Sequence, residues 1–207
     1  MHGRWETTRT EAFSDGVFAI AITLLVLDIG VSESELHDLW AGIAHQWPEY
    51  LGYATSFVTI GGIWLAHHSV VRRLRYANTA VMRINLALLM AVAFLPFPTR
   101  LVAEALRAPE SSERTAVIFY GASLLMISTL FAALWRVVAS DRPLLRPEVS
   151  GAEVQAIGRA TTPNIGFYVV VMVLALAAPK VAAFAYLLIA VVAVARSRGD
   201  ATSDPAA

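Results

Sequence analysis

The sequence predicts an all-α membrane protein, a single unit of six transmembrane helices, on three observations. Its 207 residues are 57% apolar and only 15% charged, with mean hydropathy +0.60; soluble domains average about 45–50% apolar and about 25% charged. The apolar residues gather into six runs, roughly 13–31, 49–70, 84–103, 115–137, 164–178 and 181–196. Between those runs the basic residues alternate along the chain between rich and poor connections.

The first run, FSDGVFAIAITLLVLD at 13–28, carries Asp15 and Asp28 and leaves only Gly16 to Leu27 free of charge. A helix needs about 20 apolar residues to cross roughly 30 Å of hydrocarbon, so Asp15 is expected inside the membrane boundary. An ionisable group at that depth is costly unless it faces the bundle interior, water or a partner. On a helix of about 100° per residue, Ile20, Thr23, Leu24 and Leu27 share one stripe roughly 100° wide, which Gly16 extends. Asp15 lies roughly 140° from Ile20, and Phe18 and Ile22 also face away.

The second and third runs supply partners. Trp64, His67 and His68 close the second, and Asn85 opens the third. With alternating helices these come to the depth of Asp15, which predicts a hydrogen-bonded knot of Asp15, His67, His68 and Asn85 tying the first three helices together. Arg9 lies a turn further out, where its stem can snorkel.

The fourth run is followed by a long connection, 138–163, in which Ser150 and Glu153 have the spacing of a capping box. A short interfacial helix is expected there, and Thr162-Pro163 reads as the start of the fifth helix. The fifth and sixth runs are short of a full span. They borrow flanking residues, tilt, or form a re-entrant pair folded at Pro179-Lys180. Residues 1–196 form one six-helix domain without internal duplication, and 197–207 read as a disordered tail.

Orientation follows from the basic residues. With the N-terminus inside, the cytoplasmic segments hold twelve of the sixteen: Arg4 and Arg9; Arg72, Arg73, Arg75 and Arg83; Arg136, Arg142, Arg146 and Arg159; Arg196 and Arg198. The other side holds Arg100, Arg107, Arg114 and Lys180. The excess of Lys and Arg in cytoplasmic loops places both termini in the cytoplasm.

The same inventory excludes several functions. Net charge is zero, which gives no argument for nucleic acid. With no cysteine, no H-E-x-x-H and adjacent histidines that cannot share a helix face, neither a metal site nor a cofactor is expected. No nucleophile-histidine-acid order, phosphate loop or paired intramembrane carboxylates appear, so an enzyme is not expected. Taken alone, Asp15 also suits a helix start, and the stripe also suits ordinary lipid or helix packing.

RTEAFSDGVFAIAITLLVLDI, Arg9 to Ile29, has the form R-x-x-x-F-S-D followed by an aliphatic helix. It resembles the signature of the transmembrane protein 175 family of potassium-permeable channels. WLAHH at 64–68 is similar to that family's tryptophan-histidine pattern, and INLALLMAVAFLPFPT at 84–99 resembles its third helix. The likeness covers roughly the first half of the chain.

The resemblance implies a channel in which the first helix of each six-helix unit lines a central pore, with one-unit chains assembling as homotetramers in the cell membrane and passing potassium ions. It implies that Ile20 forms a hydrophobic constriction, with Thr23 or Leu24 and then Leu27 above it. Arg9, Phe13, Ser14 and Asp15 take the motif that anchors the first helix. The alternative is a proton-coupled secondary transporter using Asp15 and His67 as a relay. Its usual marks, repeated halves with broken helices, are not seen.

Overall fold

The computed structural model describes residue 5, residues 7–30 and residues 37–199. Among these residues eight α-helices follow one another: α1 (Thr7–Leu24), α2 (Leu39–His45), α3 (Trp47–Arg73), α4 (Thr79–Phe94), α5 (Pro96–Ala105), α6 (Glu110–Ser140), α7 (Gly151–Ala175) and α8 (Pro179–Gly199). A 3₁₀ turn, Leu25–Asp28, extends α1, and another, Arg142–Leu144, follows α6. Among the described residues, three helical stretches are long and apolar enough to cross a membrane: Thr7–Asp28, Thr79–Ala105 and Glu110–Ser140.

Local chemistry sets the helix starts. Asn78 accepts a hydrogen bond from the Val81 amide at 2.9 Å, and Asp38 accepts one from the Ala41 amide at 3.2 Å. Prolines sit in the first turns of α3 and α5 and begin α8, where their missing N–H would have no helical partner in any case.

Three elements differ from the sequence reading. Ser150 does cap a helix, accepting from the Glu153 amide at 3.2 Å, but α7 then runs unbroken to Ala175. The separate interfacial helix and the start at Thr162-Pro163 therefore do not occur. Val154 and Ile157 pack against the core, which extends the helix on the N-terminal side, while the proline removes one helical hydrogen bond. The third run divides at Leu95, ahead of Pro96 and Pro98, with Leu95 itself still helical at φ −60°, ψ −32°. The short α2 had no counterpart among the six runs. At the C-terminus, α8 continues to Gly199, and the rest of the expected tail lies outside the described residues, as does the 31–36 part of the first loop.

α6 is the central post, packed against α4, α5, α7 and α8, while α1 lies against α3 and α4, and α3 also meets α5 and α8. Leu88, Val92, Leu95, Val117, Leu124 and Leu134 are buried at the heart of this packing. At one end the backbone of Trp5 pairs with Ala77, and Leu74 pairs with Leu145. The N-terminal segment, the α3–α4 loop and the α6–α7 loop thus share that end, where Arg73 also meets Glu153 at 2.8 Å. At the other end Arg107 grips Glu49, with Nη2 to Oε2 at 2.7 Å.

Gly121 is the tightest point between α6, α7 and α8. A Cβ there would lie 2.0 Å from the Tyr186 hydroxyl and 2.6 Å from Met172 Cγ. Overpacking of this kind costs about 1–3 kcal/mol, so Gly121→Ala is expected to lower the thermal midpoint of the purified protein. Differential scanning fluorimetry in detergent measures this directly.

Candidate functional site

α1 has two unlike sides. Ser14, Phe18, Ala21 and Leu25 are buried on one, following the helical period. On the other, Phe13, Gly16, Ile20, Thr23, Leu24 and Leu27 are exposed, Ile20 at 61% and Leu27 at 74%. Thr23 turns its hydroxyl inward to the Ile20 carbonyl at 2.9 Å. The final turn is tighter than the sequence reading assumed. In a 3₁₀ turn residues three apart eclipse one another, so Leu27 stands directly in line with Leu24 and prolongs the apolar face.

The buried side is held by a directed set of hydrogen bonds. Ser14 Oγ donates to the Thr10 carbonyl at 2.8 Å and accepts from Asn85 Nδ2 at 3.1 Å. The Asn85 carbonyl oxygen faces His67 Nε2 at 2.7 Å. Since that oxygen can only accept, the hydrogen of His67 sits on Nε2. Ser14, His67 and Asn85 are all buried, and the Phe18 ring lies 5.3 Å from the His67 ring. One residue from each of α1, α3 and α4 is therefore fixed to the others, and this sets the rotation of α1.

Asp15 does not join this knot. Its Oδ1 accepts from Trp64 Nε1 at 2.8 Å, and His68 Nδ1 lies 3.2 Å from the Glu11 carboxylate. The expected single network is thus two: a buried one through Ser14, and a half-buried one of Glu11, Asp15, Trp64 and His68. Adjacent residues on a helix diverge by about 100°, which is why Ser14 and Asp15, like His67 and His68, part company. Glu11, Asp15 and His68 offer ligand atoms within 4.8 Å of one another, the only such group of three among the described residues. Arg9 is exposed and forms no ion pair among the described residues.

Glu11 was missed in the sequence. The signal available was its spacing of four from Asp15, which puts the two carboxylates on one helix face. Thr10 was missed as well: its hydroxyl reaches Met82 Sδ at 3.4 Å, a second tie to α4.

Together these features define a polytopic helical membrane protein that locks the rotation of its first helix and turns an apolar face outward. The chain belongs to the TMEM175 family. The model of the endosomal/lysosomal potassium channel TMEM175 matches residues 9–96. A protein of Streptomyces collinus named a potassium channel is 41% identical over 152 residues, 73% of each chain. Another so named, from Chamaesiphon minutus, is 40% identical over 172 residues, 82% of this chain and 84% of that one. The crystal structure of a lysosomal potassium-selective channel TMEM175 homolog from Chamaesiphon minutus superposes with a TM-score of 0.83 at 36% identity, covering 92% of this chain and 97% of that chain.

Proposed function

We propose that four copies of this chain form a potassium-permeable channel in the cell membrane, each crossing six times with both termini cytoplasmic, and α1 of each copy lining a central pore. The observation that carries this reading is the contrast on α1. A face bearing Ile20, Leu24 and Leu27 is exposed, while the opposite side is pinned by buried polar bonds. Lipid alone demands no fixed rotation of an apolar helix, whereas a pore does. The names of the bacterial relatives supply the ion, and the twelve-to-four division of basic residues supplies the orientation.

In this arrangement four Ile20 side chains make an apolar ring, with Thr23 or Leu24 and then Leu27 above it. Such a ring gates by dewetting. A cation passing through it sheds part of its hydration, which potassium does more readily than sodium, so potassium is preferred modestly and not strictly. Asp15 and His67, the pair that a proton relay would need, bond to different partners, Trp64 and Asn85. This pairing gives the transporter alternative no support.

Potassium-loaded liposomes containing the purified protein test the proposal. Passive efflux down the potassium gradient, with no proton gradient imposed, is the expected result. Flux that appears only against an opposing proton gradient would instead identify a transporter. Orientation is checked with single cysteines, since the chain has none of its own: an impermeant thiol reagent is expected to label Ser34→Cys and spare Ala201→Cys in intact cells.

A further inference from the structure

Where the loops gather at one end of the bundle, two backbone bridges line up four side chains. The bridge between Trp5 and Ala77 is closed by hydrogen bonds of 2.9 and 3.1 Å. In the bridge between Leu74 and Leu145, the Arg75 amide donates to the Leu144 carbonyl at 2.7 Å and the Arg146 amide to the Arg73 carbonyl at 2.9 Å. Leu74, Ala77 and Leu145 are buried beneath. Arg75 and Arg146 are exposed, Tyr76 is half-buried and Trp5 is 55% exposed. Residues diagonal across an antiparallel pair lie about 7–8 Å apart, so Arg75 and Arg146 can reach one small group together.

Arg146 is fixed a second time, since its Nε donates to the Leu74 carbonyl at 3.4 Å, next to Arg75. The Arg75 guanidinium lies 5.0 Å from the centre of the Tyr76 ring. Their neighbour Arg73 is neutralised by Glu153 at 2.8 Å. Neither Arg75 nor Arg146 forms an ion pair among the described residues, the loop acids Asp141 and Glu148 included. The depth of the group is set by the chain itself: the membrane-capable stretches Thr7–Asp28 and Thr79–Ala105 begin just after Trp5 and Ala77. The four side chains therefore stand at the rim of the hydrocarbon, the level of lipid headgroups, where Trp and Tyr are favoured and arginine meets phosphate.

We infer that Arg75 and Arg146 bind the phosphate of an anionic phospholipid, with Tyr76 and Trp5 against its glycerol and upper acyl region. A guanidinium presents its N–H groups in a planar fork that suits phosphate oxygens, and with Nε of Arg146 held by the backbone its two terminal nitrogens remain for the ligand. The excess of basic residues that orients a membrane chain requires only charge in the loops; it does not require two arginines set side by side on hydrogen-bonded backbone. Like charges across an antiparallel pair are destabilising, and a bound phosphate removes that repulsion. A soluble anion would engage the arginines and leave the Trp5 ring in water. The leaflet is the cytoplasmic one under the orientation proposed above, but the binding itself does not depend on that orientation.

The test uses the full chain purified in detergent, with phosphatidylglycerol, phosphatidylcholine and inorganic phosphate added in separate arms. Native mass spectrometry is expected to show phosphatidylglycerol retained in preference to phosphatidylcholine, and the thermal midpoint is expected to rise with phosphatidylglycerol alone. Arg75→Gln and Arg146→Gln are each expected to weaken the apparent affinity about fivefold, the effect of one basic residue at a membrane surface. Arg100→Gln removes the same charge from an exposed position on α5 and is expected to leave the affinity unchanged. Equal retention of the two lipids, or an equal loss in Arg100→Gln, overturns the inference. So does a midpoint rise of the same size with inorganic phosphate, which would make the site one for a free anion. The preference of the parent chain between the two lipids is measured without any variant, so it stands even where Arg146→Gln fails to fold.

Discussion

Ile20→Asn is expected to raise single-channel potassium conductance and lower the preference for potassium over sodium. In a tetramer the change places four amides in one ring. An amide wets a constriction that four isoleucine side chains keep dry, and it replaces part of the hydration a cation loses there. Both effects act on sodium more than on potassium, because sodium holds its water more tightly. Leu27→Asn is expected to act in the same direction. The matched control is Phe18→Asn: Phe18 is 1% exposed and packed on His67, so the variant is expected to lose folded protein and not to change selectivity. Bilayer recordings of the three variants in potassium and sodium separate these outcomes. Changed permeation in assembled Phe18→Asn channels, with Ile20→Asn unchanged, would mean that α1 is turned the other way.

Asn85→Leu is expected to abolish current and reduce the assembled fraction. The substitution leaves the Nε2 hydrogen of His67 without an acceptor and takes the donor from Ser14 Oγ. A buried polar group left unpaired costs about 1–3 kcal/mol. Insertion of α4 survives, since an apolar residue replaces a polar one, and what is lost is the angular setting of α1. Leu86→Ala, one residue along and exposed, is expected to leave current intact. Asp15→Asn is expected to be milder than Asn85→Leu, because an amide oxygen can still accept the Trp64 N–H. Size-exclusion profiles and liposome flux, measured together for the three variants, rank them.

That ranking shows where the sequence could and could not be read. The two sides of α1 were legible because a helix advances by a fixed angle, so Ile20 and Phe18 had to look apart whatever surrounded them. That an acid, two histidines and an asparagine at one depth need partners was legible as an expectation. Which of them would bond to which was not. Trp64 takes Asp15, and Asn85 bridges Ser14 and His67, because of how α1, α3 and α4 cross, and no single-helix period contains that information. The same limit hid the continuity of α7, where a proline that usually opens a helix sits inside one whose preceding turns are held by Val154 and Ile157. It also hid α2, whose seven residues are too few to show a period.

The central claim is that the exposed face of α1 borders the ion path, and the absence of native cysteine makes it directly measurable. Ile20→Cys, Leu27→Cys and Val173→Cys each place one thiol on an exposed position, the last on α7. Potassium flux through liposomes containing each variant is recorded before and after a charged methanethiosulfonate reagent. Block at Ile20→Cys and Leu27→Cys with no effect at Val173→Cys is the expected result. Unimpeded flux through fully labelled Ile20→Cys and Leu27→Cys channels, or block at Val173→Cys alone, would contradict it.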